Sequence, residues 1–80
     1  MKKLVNQRFI AAINFIISEN KKIQKSEIAE NLHIGKSTFS EILKQRMNVS
    51  IEVIALLSKH YEISLEWLIT GEGDMRNSLN

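Results

Sequence analysis

A group of polar and basic side chains lies between positions 36 and 44. Phe39 and Ile42 are spaced to face a helical core, and burying this pair turns the other residues outward together. These outward residues are Lys36, Ser37, Ser40, Glu41 and Lys44. Lysine and serine donate hydrogen bonds to base edges and phosphates, and glutamate accepts from cytosine N4. The pattern is that of a helix suited to a DNA major groove.

Other chemistries are poorly supported by the same stretch. "GKST", at residues 35–38, is similar to the end of a P-loop, but the full motif needs glycine at position 30, where the chain has Glu30. His33 with Ser37 or Ser40 lacks an orienting acid and an oxyanion hole. Two isolated histidines without cysteine argue against zinc. We expect no enzyme activity, no metal, no cofactor and no small-molecule ligand.

The composition indicates one all-α domain. The chain has 80 residues, no proline, three glycines and apolar residues that recur at helical spacing. Cysteine is absent, so no disulfide supports this small core. Asn48-Val49-Ser50 fits a glycosylation acceptor, but without a secretion signal it is better explained as loop and helix cap.

Charge is distributed unevenly along the chain. Residues 1–46 carry nine Lys/Arg and four Asp/Glu, a net of +5, whereas residues 47–80 carry two and five, a net of −3. A basic half opposite an acidic half suggests a face for a polyanion. A solvated surface with chance asymmetry explains the charges equally well.

The chain divides into five predicted helices. The first runs from about Asn6, a candidate cap, to Asn20. The second and third cover about residues 25–32 and 36–45. The fourth runs from Ile51 to about Tyr61 after a Ser50 cap, and the fifth is "LEWLIT", capped by Ser64 and ended by Gly71 in a left-handed conformation. The predicted architecture is a compact five-helix bundle.

The N-terminal sequence argues against export. "MKKLVNQRFIAAINFII" has lysines followed by an apolar run, but Asn6, Arg8 and Asn14 interrupt that run and no cleavage site follows. The spacing of Phe9 and Ile13 is that of an amphipathic helix. The sequence therefore predicts an unexported, cytoplasmic protein without a membrane span.

The second and third helices form a candidate helix-turn-helix. Ala29 is small enough for two crossing helices to approach closely, and Ile34 can fill the gap between them. His33 stands where such a turn usually has glycine. Histidine is enriched among non-glycine residues at positive φ, so we expect the turn to form.

This pattern resembles the helix-turn-helix of the XRE family, the lambda repressor-like (Cro/repressor-type) DNA-binding domains. The similarity covers roughly residues 8–75. It rests on Ile28-Ala29, Leu32, Ile34, residues 36–42 and the string "SLEWLITGEGDM". The resemblance implies a five-helix domain that binds double-stranded DNA sequence-specifically, usually as a dimer, in a bacterial or phage regulator that acts on nucleoid DNA.

The resemblance also implies roles for individual residues. Those at base-reading positions are Lys36, Ser37 and Glu41. Those at phosphate-contacting positions are Lys25, Ser40, Arg46 and Asn48. Lys44 is not among the positions to which the resemblance gives a role. We predict that it binds phosphate, because it is basic and lies at the end of the third helix. For Glu41 the alternative is a pairing with Lys44 or Gln45 along the helix.

Several positions depart from the family pattern. Gln24 and Lys25 replace the usual threonine and glutamine at the start of the second helix, which weakens the cap. Gly35 replaces the usual serine cap of the third helix. Leu43 and Gln45 stand where glutamate and glycine are common. These changes affect the expected shape of the following loop more than the fold.

Three apolar residues near the C-terminus have two interpretations. Trp67, Leu68 and Ile69 either close the core or leave a patch for a second subunit, since one short helix rarely buries all three. We predict a DNA-binding domain over residues 6–71, with its helix-turn-helix at about 25–45, and a flexible tail or linker over 72–80. That tail leaves open that the chain is the N-terminal part of a longer repressor.

The leading functional prediction is a transcriptional regulator of the repressor type, which reads a palindromic operator as a homodimer. The alternative is a protein-interaction module, antitoxin-like or regulator-docking, with weak non-specific DNA binding. The modest net charge of +2 and the position of Glu41 on the reading side of the third helix are consistent with this alternative.

Overall fold

The predicted five helices are present in the computed structural model, which describes residues 2–76 and, from Leu4 onward, their side chains. The helices are α1 (Lys2–Glu19), α2 (Lys25–Asn31), α3 (Lys36–Leu43), α4 (Ile51–Tyr61) and α5 (Leu65–Thr70). Within the described residues the only β-type pairing is an isolated antiparallel bridge between Ile63 and Arg76. The all-α fold class is therefore confirmed.

One apolar stripe from each helix builds the core. α1 buries four apolar residues along one side, and the other four helices each add at least one. The buried apolar residues are Phe9, Ala12, Ile13, Ile16, Ile28, Ala29, Leu32, Phe39, Ile42, Val53, Ile54, Leu57, Ile63 and Leu68. The Phe9 and Phe39 rings meet edge to face, with centroids 6.4 Å apart, and join α1 to α3. This contact fixes α3 on the core.

Both predicted serine caps are confirmed. Ser50 Oγ accepts from Val53 N at 3.2 Å, and Ser64 Oγ accepts from Trp67 N at 3.1 Å. Gly71 ends α5 in the left-handed conformation, at φ 82°. Gln24, by contrast, caps α2 without a side-chain hydrogen bond, which agrees with the weak cap expected there.

The predicted helix bounds are wrong in four places. α1 begins at Lys2, so Asn6 is an interior residue and not a cap. α2 ends at Asn31 and α3 at Leu43, because His33 and Gln45 take positive φ values and stop the helical hydrogen bonding. α1 ends at Glu19, one residue earlier than expected.

The start of the predicted tail folds back on the domain. Ser64 N donates to Met75 O at 2.7 Å, and the half-buried Met75 packs against the core. Arg76 lies 3.4 Å from Glu19 and over the Phe15 ring. Residues 77–80 of the predicted tail lie outside the described residues, and the boundary at residue 71 stays a prediction.

Between Lys2 and Arg76, none of the helices combines the length and the apolar character needed to cross a membrane.

Candidate nucleic-acid interface

The turn between α2 and α3 forms without glycine. His33 adopts φ 58°, and its N–H donates to Glu30 O at 3.1 Å. The next residue, Ile34, donates through its N–H to Ala29 O, also at 3.1 Å. This pair of bonds is the Schellman arrangement, which normally places glycine at the left-handed residue. The chain thus tolerates histidine at the position that directs α3 away from α2.

α3 is held by its apolar side and exposes its polar side. Phe39 and Ile42 are buried, as predicted. Lys36 and Ser37 are exposed at the N-terminal end of the helix, whereas Ser40 and Glu41 are half-buried further along it. The polar residues that the sequence assigned to base reading therefore lie on the accessible side of α3.

A second Schellman arrangement ends α3. Gln45 adopts φ 62° and its N–H donates to Ile42 O at 2.9 Å, while Arg46 N donates to Glu41 O at 2.9 Å. The sequence raised doubt about this loop because Gln45 replaces a common glycine. Gln45 nevertheless adopts the left-handed conformation. Glutamine in place of glycine therefore changes the energetic cost of this loop and not the path of its backbone.

Glu41 pairs with Arg46. Arg46 Nη1 lies 3.6 Å from Glu41 Oε2; the Arg46 side chain is exposed, and Glu41 is half-buried. The predicted partners, Lys44 and Gln45, are wrong because the left-handed Gln45 turns the chain and brings Arg46 back along the helix. The pair joins a predicted base-reading residue to a predicted phosphate ligand.

A groove beside α2 and α3 brings several predicted residues together. Its floor is apolar and its polar rim carries three lysines and two serines. The groove is lined by Lys25, Ser26, Lys36, Phe39, Ser40, Leu43 and Lys44. None of these lining residues is acidic, so the groove presents an uncompensated positive charge. An adjoining hollow on the other side of Lys36 contains Glu27 and Glu30, which limits the cationic surface there.

The loop after α3 is held by a residue that sequence reasoning missed. Asn6 is 4% exposed, and its side chain contacts Met47 O, Asn48 Oδ1 and Val49 N. The sequence feature that could have indicated this role is a polar residue on the buried stripe of α1, three residues before Phe9. Its partners could not be read from the sequence because they lie more than forty positions away.

The three apolar residues near the C-terminus separate into different environments. Leu68 is 0% exposed and belongs to the core, so its prediction as a dimer contact is wrong. Trp67 is half-buried against the core, and Ile69 is 37% exposed. Leu65, which was not predicted, is 42% exposed one helical turn before Ile69. The free apolar surface of α5 therefore consists of Leu65 and Ile69.

Arg8 joins α1 to the end of α5. Its Nε donates to Leu68 O at 2.9 Å and its Nη2 donates to Ile69 O at 2.8 Å. A cation at these last carbonyls satisfies acceptors that a helix leaves unpaired. Sequence reasoning treated Arg8 only as an interruption of the apolar run.

The described part of the chain contains no group of three or more histidine and acidic residues that could hold a metal ion.

Comparison with known families bears on this interface. Residues 8–76 match the family described as the bacteriophage CI repressor helix-turn-helix domain. No curated protein matches the chain. No solved structure matches it either. The family match covers most of the 80 residues, includes all five helices in whole or in large part, and confirms the predicted resemblance to lambda repressor-like domains. The chain belongs to the bacteriophage CI repressor helix-turn-helix domain family, whose fold is that of a DNA-binding regulator.

Proposed function

We propose that this chain is a transcriptional repressor that binds a palindromic operator sequence-specifically as a homodimer, with α3 in the major groove. The observation that carries the proposal is the orientation of α3. Phe39 and Ile42 fix one side of the helix in the core, while Lys36 and Ser37 stand exposed beside a groove without carboxylates. A groove with this charge suits the DNA backbone, and an exposed helix beside it suits base edges.

Individual residues take different parts in this proposal. Lys36 donates to guanine O6 and N7, and Ser37 contacts a neighbouring base edge. Glu41 accepts from cytosine N4 or repels a wrong sequence. Lysine, serine, arginine and asparagine side chains around α3 bind phosphates and set the register without reading sequence. The proposed phosphate ligands are Lys25, Ser40, Lys44, Arg46 and Asn48.

The homodimer supplies the geometry of the operator. Two copies related by a two-fold axis would place two α3 helices in successive major grooves, ~34 Å apart. The operator would accordingly be a palindrome with half-sites one helical turn apart. Repression follows if the bound dimer covers the site that polymerase needs.

Selection of binding sites from random duplexes, combined with a molar-mass measurement of the complex, tests the proposal. We expect one palindromic sequence and two copies per duplex. In the selected operator, Lys36→Ala should weaken binding and relax preference at one base pair, by about 1–3 kcal/mol. Arg46→Ala should weaken binding to all duplexes alike and reduce the salt slope by about one. The assignment of the reading face is wrong if neither variant changes affinity for any duplex.

One observation favours a second candidate, a protein-interaction module. Glu41 holds Arg46 at 3.6 Å, and Glu27 and Glu30 stand beside Lys36, so carboxylates border the surface that would meet phosphates. Such a module would bind duplexes weakly, with strong salt dependence and no preferred sequence. Failure of site selection to enrich any sequence would favour this candidate.

A further inference from the structure

We infer that Asn6 is a positioning residue for DNA binding: it holds residues 46–49 in the conformation in which Arg46 and Asn48 present donors to a phosphate. The inference rests on the proposed function and adds a residue outside the helix-turn-helix. Among residues 4–76, Asn6 is the only polar residue that is buried.

An asparagine in this place needs a physical reason. Burying an amide is unfavourable unless its donors and acceptor are hydrogen-bonded. Asparagine is also a weaker helix former than leucine. An apolar residue would serve both α1 and the core better if packing were the only requirement. The partners of Asn6 supply the reason.

All three partners of Asn6 lie in one short segment. Asn6 Nδ2 donates to Met47 O at 3.0 Å and to Asn48 Oδ1 at 3.3 Å, and Asn6 Oδ1 accepts from Val49 N at 2.8 Å. Residues 47–49 lie between α3 and α4 and make no backbone–backbone hydrogen bond within the described part of the chain. Asn6 instead bonds to this segment and ties it to α1.

The bond to Asn48 also orients a predicted phosphate ligand. Because Asn48 Oδ1 accepts from Asn6, the opposite end of the amide, Nδ2, turns away from α1. Asn48 is exposed, and its Nδ2 donates to no group among the described residues. An amide held in this way presents its N–H groups outward, as contact with a phosphate oxygen requires.

The same segment includes the other loop ligand. Arg46 directly precedes Met47, whose carbonyl Asn6 fixes. On its other side Arg46 is fixed by the bond from its N–H to Glu41 O. The path between α3 and Val49 is thus defined at both ends. A loop held before binding does not need to be ordered on the DNA, which lowers the cost of association.

The first test compares Asn6→Leu with the core variant Ile13→Val, which lies two turns further along α1. Asn6→Leu has nearly the same size but cannot form the three bonds. We expect it to bind the selected operator and a scrambled duplex about tenfold more weakly, equally for both, with a salt slope smaller by about one. Ile13→Val should bind like the wild type. Equal loss in both variants, or unchanged affinity of Asn6→Leu, would overturn the inference.

A double-mutant cycle separates positioning from lost stability. Asn6→Leu should have a smaller effect in an Arg46→Ala background, because the ligand that it positions is gone, and its full effect in a Lys25→Ala background. Equal effects in the two backgrounds would refute a role through the loop. If Asn6→Leu does not fold, Asn6→Asp replaces it, since a carboxylate keeps the acceptor for Val49 N and loses both donated bonds.

Amide hydrogen exchange on the free protein distinguishes failure of this inference from failure of the proposed function. Asn6→Leu should speed exchange of the Val49 amide at least tenfold while amides in the middle of α1 and α4 keep their protection. Unchanged exchange at Val49 would overturn the inference even if the wild type binds its operator. If the wild type binds no selected duplex, the proposed function fails, and the role of Asn6 in DNA binding fails with it.

Discussion

Three residues with full side chains occupy left-handed positions that glycine usually fills; one of them, Glu62, follows α4, and the other two stand on either side of α3. His33 and Gln45 lie at φ 58° and 62° and end α2 and α3. For residues with a Cβ this conformation costs roughly 1–2 kcal/mol. Each turn is maintained by two backbone hydrogen bonds, and the His33 turn also by Ile34, which packs against the core. The helix-turn-helix therefore carries local strain on both sides of α3.

This strain predicts that His33→Gly stabilises the protein. The free energy of unfolding should rise by about 1 kcal/mol, because glycine adopts positive φ without the Cβ penalty. The measurement is urea denaturation followed by circular dichroism, with unchanged operator affinity as evidence that α3 keeps its orientation. Ala55→Gly, on the exposed side of α4, is the control and should lose about 1 kcal/mol. A loss of stability in His33→Gly would show that the imidazole makes a compensating contact.

Glu41 carries a second prediction at this scale. Its carboxylate lies on the reading side of α3 and holds Arg46 at 3.6 Å. Glu41→Gln removes the repulsion of phosphates and releases Arg46, so affinity for unrelated duplexes should rise about fivefold, or ~1 kcal/mol. Operator affinity should not rise as much, because the proposed contact of Glu41 with cytosine would be lost. Folding stability should change by less than about 1 kcal/mol, as for other exposed pairs.

Glu72→Gln is the matched control for Glu41→Gln. It removes the same charge from an exposed residue after α5. Fluorescence anisotropy with operator and scrambled duplexes gives the ratio of specific to non-specific affinity. That ratio should fall for Glu41→Gln and stay constant for Glu72→Gln. Identical behaviour of the two variants would mean that only net charge matters.

The helices differ in how far the sequence predicted them. The starts of α4 and α5 follow from Ser50 and Ser64, since a cap acts within three residues. The end of α3 was predicted two residues too late, because a left-handed glutamine has no local signature comparable to glycine. The hydrogen bonds of Asn6 and Arg8 could not be predicted, because their partners lie far away in the sequence. Local signals predict helices, whereas the contacts that orient them depend on the folded chain.

The polar side chain of Arg8 links α5 to α1. α5 is six residues long, too short to be stable alone. Arg8 binds the carbonyls of Leu68 and Ile69, and a Cβ at Gly71 would lie 3.1 Å from Arg8 Nη1. Glycine at this position therefore allows both the left-handed turn and the approach of the guanidinium group.

Arg8→Met should separate α5 from α1. Methionine keeps the aliphatic length but loses two hydrogen bonds from a charged donor, so the free energy of unfolding should fall by about 2 kcal/mol. Thermal unfolding measures the change. Arg76→Met is the control, because the contacts of Arg76 with Glu19 and Phe15 are exposed and weak. The same melting temperature for both variants would contradict a capping role for Arg8.

At the scale of the whole molecule, the charge asymmetry of the sequence corresponds to the order of the elements. The basic half of the chain contains α1, α2 and α3, and with them the lysine-rimmed groove. The acidic half contains α4 and α5, including Glu52 and Glu66 in their first turns. Within this acidic half, α5 exposes Leu65 and Ile69, so we consider it as a candidate surface for a second copy.

The free apolar surface of α5 is small. Leu65 and Ile69 are 42% and 37% exposed, with the half-buried Trp67 beside them. A stable interface buries roughly 800 Å² on each partner, far more than two side chains provide. If α5 is the dimer surface, two copies should associate weakly in solution and strongly on an operator, where the second copy binds at a high effective concentration.

Ile69→Lys tests this assignment of the dimer surface. Lysines facing each other across the two-fold axis repel, so cooperative binding to the palindrome should fall about tenfold or more, while binding to a single half-site stays the same. Titrations of both duplexes, with the molar mass of each complex, measure the effect. The half-site duplex is the internal control, since it needs only one copy. Unchanged cooperativity would exclude Ile69 from the dimer contact, whereas equal loss on both duplexes would mean that the substitution disturbs the fold.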